Sequence, residues 1–186
     1  MERRCGVSVT TKTGDNGMTS LYLEGRIWKD DLRVDIYGTL DELCSFLGLS
    51  KSLIRDRKTK RLIESTQKDL FVIGAEIATK GRFITKLEER IKASHIRTIE
   101  KAVRDIESVN VFEGCCFYLP GKDLVSSTLD IARTVARRAE RGTVTLKRKG
   151  MLKNNNILIY MNRLSDLLYL LARSHEKNPR KLKPRL

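Results

Sequence analysis

Residues 11–19, Thr-Lys-Thr-Gly-Asp-Asn-Gly-Met-Thr, gather hydroxyls, an Asp-Asn pair and two glycines into one short stretch. Gly14 and Gly17 allow successive backbone N–H groups to turn toward a single point, and Thr11, Thr13 and Thr19 set hydroxyl donors around it. A chain can hold an anion in this way. The stretch lacks the Gly-x-x-x-x-Gly-Lys-Ser/Thr spacing of a Walker A loop. Gly14-Asp15-Asn16-Gly17 also has the composition of a plain hairpin turn, so the loop taken alone leaves both readings open.

Three further polar sets fall on apolar, helix-patterned segments. In Ser127–Arg141, helical spacing puts Asp130, Arg133, Arg137, Glu140 and Arg141 on one side, with Leu129, Ala132, Val135, Ala136 and Ala139 on the adjoining face. Arginines thus border a packing seam, where a partly desolvated guanidinium offers a rigid fork of donors to phosphate or carboxylate. The plainer alternative is an exposed face laced by Glu–Arg pairs worth about 0.3–0.5 kcal/mol each. In Ile157–Arg173, a segment apolar nearly all round, Asn162, Asp166, Tyr169 and Arg173 share one face. Such groups need partners, because an unpaired buried polar group costs about 1–3 kcal/mol; a ligand or internal hydrogen bonds would serve equally. Tyr37, Gly38, Asp41, Ser45 and Gly48 form the third set. There, small residues around an acid permit close approach by another chain or a ligand, or a helix contact with Asp41 paired to an arginine.

The elements that carry these residues are helices, placed by three- and four-residue apolar spacing at 31–54, 58–79, 87–109, 124–147 and 156–175. Loops fall at Lys80-Gly81-Arg82, at 113–121 and at Gly150, and the triplet Asn154-Asn155-Asn156 can cap the last helix. Long helices with short connections predict an all-α bundle of five helices preceded by the N-terminal loop. At 186 residues this is one domain, 1–175, followed by a basic tail, 176–186. Five basic and no acidic residues in 177–186, with two prolines, read as a solvated, frayed end.

Thirty-seven Lys and Arg against 23 Asp and Glu give a formal charge of +14, which suits a polyanionic partner. A basic nucleic-acid-binding protein would explain the charge but not Asn162 and Asp166 in a greasy helix, and no aromatic platform or recognised module is present. A di-iron carboxylate bundle needs Glu-x-x-His pairs, and neither His95 nor His175 has a glutamate three residues before it. Cys5, Cys44, Cys115 and Cys116 show no Cys-x-x-Cys spacing and read as reduced thiols. Met1–Arg4 leads into no apolar signal core and no run of eighteen apolar residues occurs, so the expected setting is the cytoplasm, away from membranes.

Five motifs, in order along the chain, resemble the ATP:cob(I)alamin adenosyltransferase family of the propanediol-utilisation type. They are Thr11–Thr19, Tyr37-Gly-Thr-Leu-Asp-Glu-Leu43, Phe117-Tyr-Leu-Pro-Gly121, Arg133–Arg141 and Asn162-Arg-Leu-Ser-Asp166. The resemblance implies a homotrimer with sites at subunit interfaces, where ATP and cobalamin are substrates and Mg²⁺ accompanies the nucleotide, with no Mg²⁺ ligand assigned. It implies that Thr11, Thr13, Gly14, Asp15, Gly17 and Thr19 wrap the nucleotide and that Lys29 reaches its phosphates. Arg137 and Asn162 become further ATP contacts, with Glu140 beside the nucleotide. Arg133 would pair across the interface with Asp41, and Phe117 would flank the corrin ring. A corrinoid reductase and an adenosylcobalamin-dependent enzyme are the implied partners. The chain departs from the family pattern at Leu23-Glu24, in place of the usual Gly-Gly; at Cys44, in place of asparagine; at Lys122, in place of a second glycine; and at Met161, in place of leucine.

Overall fold

Helix boundaries in the computed structural model follow from the caps. The structure describes residues 10–22, 25–79, 81–110, 117–176 and 181–182. Helix α1 (Leu32–Leu53) starts at Asp31, whose carboxylate accepts from the Arg33 N–H at 2.9 Å, and α2 (Arg57–Ile77) starts at Asp56, which accepts from Thr59 N–H at 2.7 Å. Helix α4 (Leu124–Arg148) opens on a reciprocal Asp123–Ser126 capping box, and α5 (Asn155–Ser174) on Asn154, the first residue of the asparagine triplet. Each cap satisfies amides that the first turn would otherwise leave unbonded.

The third helix differs from the expectation. Residues 81–86 form a 3₁₀ turn and α3 runs only from Ala93 to Glu107. The cause lies in α2: the buried Glu76 carboxylate takes the Ile91 N–H at 2.6 Å and also holds the Asn154 side chain. An amide given to a distant carboxylate is lost to a helical ladder, so the segment before Lys92 stays out of the helix.

Helix α1 packs on α2 and α4, α4 on α5, and α5 on α3. The faces predicted to pack do so: Leu43, Leu47, Leu129, Ala132, Ala136, Ile157, Met161 and Leu164 are fully buried. Tyr160, also buried, donates to Asp69 Oδ2 at 2.8 Å and braces α5 against α2. Burial pushes the Asp69 carboxyl up, against the opposing pull of that hydrogen bond. Two short antiparallel pairs complete the fold: β1 (Met18–Ser20) with β2 (Arg26–Trp28), and β3 (Phe117–Tyr118) with β4 (Lys181–Leu182). The second pair brings a piece of the basic tail, read from sequence as a frayed end, onto the strand holding Phe117. No helix among the described residues is long and apolar enough to cross a membrane.

Gly142 sets the spacing of α1 and α4. A Cβ there would lie 2.6 Å from Ile36 Cγ1, and Ile36 is 1% exposed, with no room to retreat. Alanine gains about 1 kcal/mol in helix propensity, but overpacking a rigid core costs about 1–3 kcal/mol. Gly142→Ala is therefore expected to lower Tm by up to roughly 8 °C. A raised Tm on thermal unfolding would show that Ile36 can give way.

Candidate functional site

The N-terminal loop is a tight turn leading into the β1–β2 hairpin. Asp15 N–H donates to Lys12 O at 3.3 Å and Gly17 N–H to Gly14 O at 3.2 Å. The turn is closed by left-handed backbone at Lys12 (φ 55°) and Gly17 (φ 73°), where a side chain is strained. Gly14 and Asn16 keep their N–H groups free of partners among the described residues, and Thr11 and Thr13 share a hydroxyl hydrogen bond of 2.9 Å. Lys29 folds back to donate to Gly14 O at 2.9 Å. Arg26, which sequence reasoning passed over, donates to Thr13 O and to Met18 O, the latter at 3.3 Å. The stretch is thus a turn, and its geometry leaves amides, hydroxyls and two cations on one exposed loop.

This hairpin borders α1 and α2. Ser20, Leu21 and Tyr22 share with Tyr37, Asp41 and Phe71 a groove of about 730 Å³ whose floor is smoothed by Gly38, Gly74 and Ala75. Asp41 is exposed and has no ion pair among the described residues; its neighbour Glu42 is the one that pairs with Arg138 of α4. Cys44, a free thiol, receives the Gln67 side-chain amide at its carbonyl (3.0 Å), and burial pushes its thiol up.

The arginine set lies on the α4–α5 face. A cleft of about 330 Å³ between Arg137, Glu140, Arg141 and Asn162 adjoins one of about 510 Å³ between Arg133, Arg137, Ser165, Asp166 and Tyr169. Arg137 belongs to both and makes no hydrogen bond or ion pair among the described residues. Asn162 donates to Glu140 Oε1 at 3.1 Å and accepts from Arg163 at 2.8 Å, which fixes its amide orientation. Desolvation holds the Asp166 carboxyl above the usual range; Glu140 and Glu107 add to this, and Arg163 and Arg137 oppose it.

Within one chain the expected site residues therefore form two groups. Thr11, Thr13, Gly14, Asp15, Gly17, Thr19 and Lys29 gather in the hairpin that borders the α1–α2 flank, where Asp41 also stands. Arg133, Arg137, Glu140 and Asn162 gather on α4 and α5, and no hydrogen bond or ion pair joins them to residues 11–29 among the described residues. Arg133 pairs inside its own helix, with Asp130 at 3.3 Å. Phe117 is described by its backbone in β3. Leu23, Glu24, Cys5, Cys115, Cys116 and most of the tail lie outside the described residues. Among the described residues no cluster of three His, Cys, Asp or Glu side chains could hold a metal ion.

Among the described residues the molecule is a helical bundle whose α4–α5 clefts are lined by arginines, an asparagine and carboxylates, with no histidine. The chain belongs to the cobalamin adenosyltransferase family, which matches it over residues 9–175. It is 40% identical over 172 residues to the corrinoid adenosyltransferase of Citrobacter freundii, covering 92% of this chain and 96% of that protein. It is 37% identical over 172 residues to the corrinoid adenosyltransferase PduO of Salmonella typhimurium; that match takes in 92% of this chain and 51% of the relative, so the chain spans about half its length. Its backbone superposes with a TM-score of 0.84, at 31% identity, on a variant PduO-type ATP:corrinoid adenosyltransferase from Lactobacillus reuteri complexed with cobalamin and ATP, covering 96% of this chain and 100% of that one.

Proposed function

We propose that this corrinoid adenosyltransferase moves the 5′-deoxyadenosyl group of ATP onto cob(I)alamin, giving adenosylcobalamin and triphosphate. The electron pair of cobalt(I) attacks C5′ of the ribose, the C5′–O bond breaks, and its electrons leave with the triphosphate. No proton is transferred, so the protein needs no general base. Its tasks are to align the ribose carbon with the metal and to neutralise the leaving anion.

The observation that carries this reading is Arg137, an exposed guanidinium with no ion pair among the described residues, at the junction of the two α4–α5 clefts, beside the Asn162–Glu140 pair. The loop's free amides, its hydroxyls and Lys29 supply a second anion-binding flank. Among the described residues no hydrogen bond or ion pair joins the flanks within one chain, and this supports a homotrimer in which the hairpin and α1–α2 flank of one copy meets the α4–α5 cleft of the next. In that assembly, Asp41 and Arg133 pair between copies. Mg²⁺ would be held mainly by the triphosphate, since this cation is bound by phosphates with one or two carboxylates and water, and among the described residues no group of three His, Cys, Asp or Glu could hold it alone. When bound, it offsets phosphate charge. Phe117 lies against the corrin, where an apolar ring keeps an axial donor off the cobalt and eases reduction of cobalt(II). That reduction calls for a corrinoid reductase as partner, and the product for an adenosylcobalamin-dependent enzyme. The chemistry requires a reducing interior, in keeping with a cytoplasmic setting.

The reading is tested by mixing the protein with Mg-ATP and chemically reduced cobalamin and following the visible spectrum. A light-sensitive adenosylcobalamin spectrum, with triphosphate formed in equal amount, is the expected result. A spectrum that stays that of the starting corrinoid would refute it.

A further inference from the structure

Behind the arginine cleft runs a chain of alternating charges that the transfer step does not use. The Arg173 side chain is 2% exposed, yet it donates to Asp130 Oδ2 and lies 3.1 Å from Glu176 Oε1. The other oxygen of Asp130 takes Arg133 Nε at 3.3 Å. Arg133 in turn opens into the cleft beside Arg137 and Tyr169. The Arg173 guanidinium also sits against two rings, 5.8 Å from the centroid of Tyr118 and 5.7 Å from that of Tyr169. Tyr118 directly follows Phe117 in β3.

Stability alone explains this cluster poorly. Buried ion pairs often do no better than apolar residues of the same volume. Here Arg173 Nε and both oxygens of Glu176 are buried without a hydrogen bond among the described residues, since Glu176 meets Arg173 as an ion pair outside hydrogen-bond geometry. A residual cost of that kind is retained where the geometry it enforces is needed. The enforced geometry is that of Arg133: with Nε tied to Asp130, its terminal nitrogens are left for the cleft, and the neutralising Arg173 keeps Asp130 from swinging toward solvent.

We propose that Asp130 and Arg173 are positioning residues for adenosyl transfer, Asp130 aiming Arg133 into the cleft and Arg173 holding Asp130 while, through the ring of Tyr118, anchoring the strand that carries Phe117. The proposal rests on the reading of the α4–α5 cleft as half of the transfer site. Its test is a double-variant cycle on the full chain, with kcat/KM for ATP measured on chemically reduced cobalamin and Tm recorded for each protein. Asp130→Asn and Arg133→Ala are each expected to lower kcat/KM by about tenfold to a hundredfold. The combined variant should be no slower than the slower single one, because Asp130 acts only through Arg133. Losses that multiply, or an Asp130→Asn variant with unaltered kcat/KM, overturn the proposal. Should Asp130→Asn not fold, Arg173→Lys keeps the charge while losing the fork and the stacking. It is expected to lose kcat with a Tm near that of the parent, and unchanged kcat would again overturn the role. A parent protein that makes no adenosylcobalamin overturns the functional reading and this proposal together, whereas an active parent with multiplying losses overturns this proposal alone.

Discussion

Arg137→Ala is expected to lower kcat/KM for ATP by about a hundredfold to a thousandfold, the usual cost of deleting one preorganised charge stabiliser from a transfer site. Tm should barely move. Arg137 is exposed and holds no hydrogen bond or ion pair among the described residues, so its removal leaves no buried group stranded, and changes of this kind alter stability by about 0.5 kcal/mol or less. The contrast with its neighbours makes the experiment discriminating: Arg133 and Arg173 are tied to Asp130 and Arg138 is paired with Glu42. Arg137→Lys should recover part of the loss, since an ammonium keeps the charge but not the two-pronged donor geometry that matches a phosphate. Steady-state rates together with calorimetric ATP binding check this. Rates equal to the parent would remove Arg137 from the site, and a collapse of Tm would show a structural role that its exposure does not suggest.

The helices were legible from apolar residues every three or four positions, and the asparagine triplet beginning at Asn154 marked the last start; the caps at Asp31, Asp56 and Asp123 emerged only in the structure. Where spacing and fold parted, the reading slipped. Leu87 and Ile91 have helical spacing, yet the Ile91 amide goes to Glu76, 15 residues earlier, and no local pattern reveals such a debt. The strand pairs were invisible for another reason, since two or three residues are too few to show alternation. For the site, composition and resemblance named the loop and the arginine helix, and the resemblance implied sites shared between subunits; the residues alone do not set the two flanks apart within one chain, because that depends on how the bundle packs. The face shared by Asn162, Asp166, Tyr169 and Arg173 was read correctly as a stripe. Its gradient was not: Asn162 and Asp166 are exposed while Arg173 is 4% exposed, because the stripe passes from the cleft under β3. The partner of Arg173, Asp130, lies 43 residues away on another helix, a pairing that only the fold creates.

That separation also yields a sharp experiment on where the site is assembled. Lys29→Ala damages the hairpin flank, removing a cation whose only tie among the described residues is the Gly14 carbonyl; Arg137→Ala damages the α4–α5 flank. Each homogeneous variant should be nearly inactive with its Tm preserved. In a closed ring of three, each interface joins the hairpin flank of one copy to the cleft of the next. Any ring mixing the two variants, whether two-to-one or one-to-two, then contains one interface with an intact hairpin facing an intact cleft. Mixed rings isolated with two different affinity tags should therefore recover about one third of the parent's kcat, with the parent's KM for ATP. A site built within a single chain predicts the opposite, because every chain in the mixture carries one damaged flank and no arrangement of copies repairs it. Mixed assemblies no faster than the average of the two variants would therefore place the whole site inside one subunit, and would sever the Asp41–Arg133 pairing between copies along with it.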